Sequence, residues 1–342
     1  MITEAIARGL TTRGHEVTVF GAPGSILEER MRGVAHFEPI LRGMDLHPRT
    51  LWRAGNALRR HRAQVVLAMM KKDVRLTVPA ARALGIPSIV RYANDRPLTG
   101  WIYDRAIFGG LPLLHVANSH ATRETLLSSA PWLGRERVIV IHNGVDPTPI
   151  ETAAPADLGL PVGSVAIGFT GRLETRKGLL DLMHAWPRVA AEVPNAHLLV
   201  VGRGPDESRA RGIIGDSPRV HWLGYRSDVP SILKSLDVAV VPSHWEGFGL
   251  VAAEAMVAGL PVVAANASSL PEIVVDGEHG ILVPPRDPAS LSEALIRLSR
   301  DPGLCRDMGA QGRAAALGKF GMDRMVDAFE EAMTGVIEVG DV

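Results

Sequence analysis

Short apolar runs alternate with helix-like segments along this chain of 342 residues, and this alternation limits the folds that it can adopt. The runs cover residues 16–20, 64–69, 88–92, 113–117 and 137–141 in the first half, and 165–170, 197–201, 219–223, 237–241, 261–264 and 280–283 in the second. Apolar strands separated by helices are typical of parallel sheets that are covered on both faces. The pattern predicts an α/β protein with two doubly wound, Rossmann-like domains facing a cleft, and a ligand at the carboxyl ends of the strands.

A cluster of prolines marks the boundary between the two predicted domains. Asn143-Gly144 is a turn signal, and it is followed by Pro147, Pro149, Pro155 and Pro161. We therefore assign residues 1–148 to an N-terminal domain and residues 149–318 to a C-terminal domain. Residues 319–342 are predicted to form a final helix that packs back on the first domain.

The first domain lacks the strand with which a doubly wound domain normally begins. Residues 2–12 have a helical pattern and lead directly into the strand-like run 16–20, so neither a first strand nor its glycine turn is present. A missing central strand would expose backbone groups and apolar surface. We expect the N-terminal domain either to be truncated at its start or to lack its first strand.

Composition favours a cytoplasmic protein. The chain is 46% hydrophobic, which allows sizeable cores, but it has no uninterrupted apolar run of about 18 residues that would indicate a transmembrane helix. Its first residues have neither the basic nor the apolar segment of a signal peptide. Cys305 is the only cysteine, so no internal disulfide is possible.

The net charge of zero hides a basic first half and an acidic second half. Residues 1–150 contain 20 Lys and Arg against 12 Asp and Glu, a balance of +8, and residues 151–342 therefore carry −8. Much of the excess comes from Arg49, Arg53, Arg59, Arg60, Arg62, Lys71, Lys72, Arg75 and Arg82. These residues indicate either a solvated helix face or a surface for an anionic acceptor or the inner face of an anionic membrane. Nucleic acid is not expected, because aromatic residues make up only 5% and no stacking pattern accompanies the basic ones.

The segment Glu246-Gly247-Phe248-Gly249-Leu250, followed by Glu254, is the strongest indication of a binding site. It connects the apolar run 236–241 to a helix-like run, and the free N–H groups at a helix start can hold a phosphate. Glu246 precedes that anion site and can accept hydrogen bonds from hydroxyls. Glu254 lies about 7–8 Å along the helix from Gly249, a position suited to a diol. The set predicts a nucleotide-sugar site, and the alternative is a buried strand–helix corner with two incidental glutamates.

Two cations in the second domain complement this segment. Arg172 follows Gly171 at a strand end, and Lys177 stands at a helix start, where a positive charge opposes the helix dipole unless an anion binds there. The pair can converge on one anion, although ordinary surface cations are the alternative. The turn at Gly202 follows the next strand and can line a nucleotide pocket. Leu223, at the strand end after that, can flank a base, but a plain turn explains it equally well.

No metal or cofactor is predicted. The sequence has no Asp-x-Asp pair, and its 12 histidines show no metal-ligand spacing. The Gly202-x-Gly204 pair lacks the full dinucleotide fingerprint and is weak evidence for NAD. Arg172, Lys177 and helix N–H groups would neutralise a diphosphate, so the site is expected to be metal-independent.

Together these residues resemble glycosyltransferase family 4, which has the GT-B fold. The matching residues of the second half are Gly171-Arg172-Leu173, Lys177-Gly178, Val201-Gly202-x-Gly204-Pro205, residues 242–261, Pro271-Glu272-Ile273 and Gly280-x-Leu282-Val283. Those of the first half are Gly14-His15-Glu16-Val17, Ala117-Asn118-Ser119 and His142-Asn143-Gly144-Val145-Asp146. The match covers nearly all of residues 137–300 and is weaker before them.

The resemblance implies retaining transfer of a sugar from a UDP-, GDP- or ADP-sugar to an unidentified glycan, lipid or small molecule. It implies that Arg172 and Lys177 hold the diphosphate. It also implies that Glu246 binds hydroxyls of the donor sugar and that Glu254 holds the ribose diol. The backbone N–H groups of Phe248, Gly249 and Leu250 would contact sugar and phosphate.

Two departures from the family pattern leave the activity open. Many members carry a His-Asp pair after the strand equivalent to residues 88–92, where this chain has Ala93-Asn94-Asp95. Asp95 is the remaining candidate for a catalytic carboxylate there, and a helix or turn cap explains it equally well. The family's first strand and glycine loop are also missing. The alternative function is therefore a truncated or non-catalytic nucleotide-sugar-binding protein or partner subunit.

Overall fold

The chain forms two compact units in a computed structural model that describes residues 2–40, 48–93, 97–98 and 105–340. Unit 1 consists of Met1–Gly144 and Met322–Val342, and unit 2 consists of Val145–Gly321. Each unit contains parallel strands with helices between them. The predicted architecture of two doubly wound α/β units is confirmed.

Unit 1 begins with a helix and then alternates strands and helices. Its first elements are α1 (Ile2–Thr12), β1 (Thr18–Phe20), α2 (Ile26–Met31), β2 (His36–Glu38), α3 (Pro48–Arg60), β3 (Val66–Ala68), α4 (Lys71–Ala83), β4 (Ser88–Tyr92), β5 (Leu114–Ala117), α5 (His120–Ser129) and β6 (Val138–Val140). Ser25 and Ser119 start α2 and α5 as N-caps, because each side chain accepts a hydrogen bond from the backbone N–H three residues on. All five residues of β4 are buried, as expected for a parallel strand covered on both faces.

The strands of unit 1 form two separate parallel sheets, β1-β2 and β3-β4-β5-β6. In the part of the chain that the structure describes, α1 precedes β1, and no strand pairing joins β1 or β2 to β3. No strand therefore precedes α1 among the described residues, as the sequence pattern predicted. The sequence did not predict β2, because His36–Glu38 is short and two of its three residues are polar.

Unit 2 contains one six-stranded parallel sheet in the order β12-β11-β10-β7-β8-β9. Its strands are β7 (Val165–Thr170), β8 (Ala196–Val201), β9 (Val220–Gly224), β10 (Val238–Val241), β11 (Val262–Ala265) and β12 (Gly280–Val283). Its helices are α6 (Thr148–Thr152), α7 (Leu179–Glu192), α8 (Glu207–Ile214), α9 (Val229–Leu233), α10 (Leu250–Val257), α11 (Leu270–Ile273), α12 (Pro288–Arg300) and α13 (Pro302–Lys319).

Alternate residues of the central strands of unit 2 enter two different cores. Ile167 and Phe169 of β7 belong to one apolar cluster, whereas Ala166 between them belongs to the other. Helices therefore cover both faces of the sheet. The chain runs outward from β7 through β9 and returns to β10 on the other side of β7. The carboxyl ends of β7 and β10 therefore form the topological switch point, where open α/β sheets bind ligands.

The final helix, α14 (Met322–Gly340), returns to unit 1. Its residues Met325, Val326 and Phe329 are buried in the same apolar cluster as Ile6 and Leu10 of α1. Gly9 allows the two helices to approach closely, because a Cβ at that position would overlap the side chain of Val326. Within the described ranges, no helix combines the length and the apolar character that a membrane span requires.

Candidate functional site

Glycines at the carboxyl ends of β7, β8 and β9 join these strands through backbone hydrogen bonds. The N–H of Gly171 donates to the carbonyl of Val201 at 2.9 Å, and the N–H of Gly202 donates to the carbonyl of Gly224 at 2.7 Å. Gly202 has φ +137, and a Cβ there would overlap the carbonyl oxygen of Gly171. Leu223, just before Gly224, is half-buried. A ligand at these strand ends would therefore meet mostly backbone.

Arg172 extends from this edge into solvent. Its side chain is 66% exposed, and its Nε lies 3.7 Å from Oε2 of Glu174. The other carboxylate oxygen of Glu174 lies 2.5 Å from Nε of Arg176. An exposed ion pair at 3.7 Å contributes little, so the Arg172 guanidinium remains available to an anion.

Lys177 is held in place by a short 3₁₀ turn, Thr175–Lys177, ahead of α7. The turn is anchored because the N–H and the hydroxyl of Thr175 both donate to Oδ2 of Asp206, at 2.5 and 2.7 Å. Gly178 then adopts a left-handed conformation with φ +71, and a Cβ there would overlap the carbonyl oxygen of Pro242. Only glycine therefore allows α7 to start this close to the end of β10.

Glu246 is buried and forms an ion pair with Lys177. The side chains of Lys177 and Glu246 are only 17% and 10% exposed, although the residues are 69 positions apart in sequence. The paired oxygen, Oε1, also accepts a hydrogen bond from the hydroxyl of Ser243 at 3.0 Å. The hydroxyls of Ser268 and Ser269 donate to the backbone carbonyl of Glu246, at 2.6 and 3.1 Å. The Glu246 side chain therefore has a defined position beside the cation.

The N-terminus of α10 is uncapped. Gly249, its N-cap, has φ +91 and makes no side-chain cap hydrogen bond. Among the described residues, the N–H groups of Gly249, Leu250 and Val251 have no backbone acceptor. Free N–H groups and the positive end of the helix dipole make this terminus a site for an anion. The ring of Phe248 is buried and packs edge-to-face on Phe320, so only its backbone can face a ligand.

Glu254 lies farther along α10 and is half-buried. Its side chain makes no hydrogen bond or ion pair with the described residues. Burial raises the pKa of this carboxyl above its ordinary value. A half-buried carboxylate can accept hydrogen bonds from a hydroxyl-bearing ligand, as a nucleotide sugar offers.

The sequence analysis missed a second contact network beside Glu246. Nε2 of His244 lies 2.5 Å from Oδ2 of Asp181 on α7, and the N–H of His244 donates to the carbonyl of Arg176 at 2.9 Å. The guanidinium of Arg176 lies 5.5 Å from the ring centroid of Trp245. These contacts tie the loop after β10 to the turn before α7. The polar pair His244-Trp245 directly ahead of Glu246 was the available signal.

Two asparagines from the family-like segments of unit 1, Asn118 and Asn143, make hydrogen bonds near the ends of its strands. The amide oxygen of Asn143 accepts a hydrogen bond from Nη2 of Arg91 at 2.5 Å, and both side chains are buried. Nδ2 of Asn118 donates to the carbonyl of Ala93 at 3.1 Å. The predicted catalytic residue Asp95 lies outside the described residues.

Two family models match consecutive parts of the chain. Residues 2–148 match the model described as Glycosyltransferase Family 4, and residues 164–301 match the model described as Glycosyl transferases group 1. The two matches correspond to unit 1 without its last helix and to most of unit 2.

Curated relatives include enzymes that act on different acceptors. The D-inositol 3-phosphate glycosyltransferase of Streptomyces bingchenggensis is 36% identical over 228 residues, which cover 58% of this chain and 49% of that protein. The alpha-maltose-1-phosphate synthase of Mycolicibacterium smegmatis is 28% identical over 327 residues, covering 84% and 83%. The chain thus spans about half the length of several of the curated relatives that it matches.

Solved structures share the fold over nearly the whole chain. A glycosyltransferase from Rickettsia africae has a TM-score of 0.87 at 16% identity, covering 98% of this chain and 94% of that one. The HepE protein of Anabaena, in complex with UDP, has a TM-score of 0.84 at 19% identity, covering 98% and 95%. The predicted GT-B fold class is confirmed.

Proposed function

This chain belongs to glycosyltransferase family 4, and on that premise we propose that it transfers a sugar from a nucleotide diphosphate sugar to an acceptor hydroxyl. The observation that carries the proposal is the arrangement at the switch point of unit 2. There the Lys177–Glu246 pair adjoins the uncapped start of α10, and Glu254 on the same helix has no partner. The cation and the free N–H groups match the diphosphate of a nucleotide sugar. The two glutamates match the hydroxyl groups of its sugar and its ribose.

The diphosphate would bind to the N–H groups at the start of α10, with Lys177 and Arg172 as counter-charges. Lys177 acts as a point charge with limited freedom, because Glu246 holds it. Arg172 can swing in from solvent and make a forked contact. Since these groups supply positive charge and N–H donors, the proposed reaction needs no metal ion.

Hydroxyl groups of the donor would bind to the two glutamates. Glu246 has a second carboxylate oxygen besides the one that Lys177 and Ser243 contact, and it can accept from the sugar. Glu254 would accept from the ribose diol. The backbone around Gly171, Gly202, Leu223 and Gly247 would border the rest of the nucleotide, since it lies at the strand ends beside Lys177 and α10.

The proposed transfer is retaining. The bond between the anomeric carbon and the diphosphate oxygen breaks, and the acceptor oxygen forms its bond to that carbon on the same face. The acceptor proton goes to the departing diphosphate oxygen, which is the nearest base on that face. Catalysis would then consist of positioning and of stabilising the negative charge that develops on the leaving group.

A UDP-sugar is the first donor to test. The sequence leaves UDP, GDP and ADP open, but structures of Anabaena HepE contain UDP and UDP-glucose. Thermal unfolding should be followed with UDP, GDP, ADP and their glucose conjugates, and UDP release should be measured over a panel of sugar, lipid and inositol phosphate acceptors. A ligand at about 100 times its Kd should stabilise the protein by about 2.7 kcal/mol. Selective stabilisation with turnover supports the proposal. Binding without turnover favours the non-catalytic alternative, and no stabilisation contradicts both.

Replacing Glu254 with alanine is expected to weaken binding of the nucleotide sugar by about tenfold, because a hydrogen bond to a charged group contributes about 1.5–3 kcal/mol. Isothermal titration with UDP-glucose measures this. Glu293→Ala is the control, since Glu293 is also a helical glutamate of unit 2 but is exposed and pairs with Arg188. Equal affinities of the two variants would remove Glu254 from the proposed site.

The basic surface of unit 1 supports a peripheral position on an anionic membrane, where a lipid-linked acceptor would be found. On α3, the side chains of Arg49, Arg53 and Arg59 are exposed, and Trp52 between them is 68% exposed. An exposed tryptophan among arginines is typical of helices that lie at a membrane interface.

Arg53→Glu should lower co-sedimentation with phosphatidylglycerol vesicles by about tenfold or more, because each basic residue contributes about 1 kcal/mol at an anionic surface. Tyr225→Ser is the control, since Tyr225 is an exposed aromatic residue of unit 2. No co-sedimentation of the unaltered protein, even at low salt, would exclude this membrane contact.

A further inference from the structure

Three side chains of unit 1 direct metal-binding atoms at one point. His36 and Glu38 lie on β2, and His61 directly follows the last residue of α3. We propose that His36, Glu38 and His61 bind a divalent transition-metal ion, with zinc as the ion of choice. This proposal is independent of glycosyl transfer, since the residues assigned to the sugar donor belong to unit 2.

The distances are close to those of a zinc site. Nε2 of His61 lies 2.8 Å from Oε1 of Glu38, and Nε2 of His36 lies 3.5 Å from the same oxygen. All three ligand atoms lie within 4.8 Å of one another. A zinc ion with bonds of about 2.0–2.1 Å to tetrahedral ligands separates them by about 3.3 Å. Small side-chain rotations would therefore complete the coordination.

The backbone fixes the points from which these side chains extend. Residues 36 and 38 are two apart on a strand and so share one face, and β2 is held by parallel pairing with β1. At the end of α3, Arg62 adopts a left-handed conformation with φ +49, and the N–H of Ala63 donates to the carbonyl of Leu58 at 3.0 Å. This helix ending fixes the direction of His61.

The chemistry of the ligand set selects the class of ion. Two imidazole nitrogens and one carboxylate oxygen suit zinc and its neighbours in the first transition row, whereas calcium and magnesium prefer oxygen ligands alone. The side chain of His36 is 59% exposed, so solvent can reach the ion and a water molecule can supply the fourth ligand.

An ion-paired cluster without metal is the competing explanation. Nη2 of Arg60 lies 3.1 Å from Oε1 of Glu38, so the guanidinium and a metal ion would compete for that oxygen. The Arg60 side chain is largely exposed and can turn into solvent. The two explanations predict different zinc binding: a metal site keeps or gains zinc affinity when Arg60 is removed, because a competing cation is lost, whereas an ion-paired cluster binds no zinc in either protein.

Bound zinc would join the two-stranded sheet β1-β2 to the end of α3. No strand pairing connects this sheet to the β3-β4-β5-β6 sheet within the described residues. A metal that binds only the folded arrangement stabilises it in proportion to the logarithm of the free ion concentration. The proposed role is therefore a structural cross-link in unit 1.

The test is a zinc titration of the full, untagged chain after removal of metals with a chelator, using a competing zinc indicator at about pH 7.5. We expect one equivalent of zinc to bind and to raise the unfolding temperature. His36→Ala should lower the zinc affinity by about tenfold or more. Losing even a residue that only hydrogen-bonds to a metal ligand lowers metal affinity by about 10–100-fold. Because His36 is exposed, this variant should fold.

Two further variants decide between the explanations. Arg60→Ala should leave the zinc affinity unchanged or increase it. His15→Ala is the matched control, because His15 is an exposed histidine of unit 1 that contacts one glutamate, Glu330, at 2.8 Å. The proposal is overturned if zinc does not bind, if His36→Ala binds as tightly as the unaltered chain, or if Arg60→Ala weakens binding.

Discussion

Replacing Lys177 with alanine is expected to lower kcat by about 100- to 1000-fold, the loss that follows removal of one group that stabilises developing negative charge. Lys177 is the cation with a fixed position at the proposed diphosphate site, because Glu246 and the anchored turn Thr175–Lys177 hold it. The measurement is the rate of UDP release at saturating donor and acceptor. Arg176→Ala is the control, since the neighbouring Arg176 is more exposed and pairs with Glu174 instead.

Loss of stability must be separated from loss of catalysis in this variant. Removing one partner of a buried ion pair leaves an uncompensated charge and costs about 3–5 kcal/mol. The double variant Lys177→Met with Glu246→Gln removes both charges and should recover much of that stability without recovering turnover. A folded Lys177→Ala protein with nearly normal kcat would show that Lys177 does not stabilise the leaving group.

Replacing Gly178 with alanine is expected to destabilise unit 2 by about 3 kcal/mol or more. The left-handed conformation at φ +71 costs an alanine about 1–2 kcal/mol, and its Cβ would also overlap the carbonyl oxygen of Pro242. Forcing extra volume into a packed site typically adds about 1–3 kcal/mol. Urea unfolding followed through tryptophan fluorescence, to which Trp186 in the core of unit 2 contributes, measures the change.

Gly259→Ala provides the matched control for Gly178→Ala. Gly259 also has a positive φ, +81, but a Cβ there would have no atom within 4 Å. Gly259→Ala is therefore expected to lower the free energy of unfolding by about 1–2 kcal/mol, from the left-handed conformation alone. Equal unfolding midpoints for the two variants would show that the contact between Gly178 and Pro242 does not constrain the fold. If the contact does constrain it, Gly178→Ala should also lose donor binding, since Lys177 precedes it directly.

The alternation of apolar runs with helical segments was enough to predict the class of fold. Eleven of the twelve strands in the described part of the chain were located from the sequence, because buried parallel strands are continuous apolar runs. β2 was missed, because a three-residue strand with a histidine and a glutamate lacks that signal. The helical pattern of residues 2–12 also predicted that α1 comes ahead of β1.

The parts of the donor site were predictable individually, but their contacts were not. Glycine turns after apolar runs and charges at helix starts identified Arg172, Lys177, Glu246 and Glu254 as candidates. No local pattern indicated that Lys177 pairs with Glu246, because that contact depends on the order of strands in the sheet. The network of His244 with Asp181 was missed for the same reason.

The sequence alone determined which segments become strands and helices, where the turns must be glycine, and which charged residues stand at helix starts. These properties follow from local conformational preference and from burial of apolar runs. Only the tertiary structure decided which of these residues meet. The return of the chain to the far side of β7 places β10 beside it and brings Glu246 to Lys177, and the ending of α3 brings His61 to Glu38. Such contacts depend on how whole sheets and helices pack, and that packing is not encoded in any single segment.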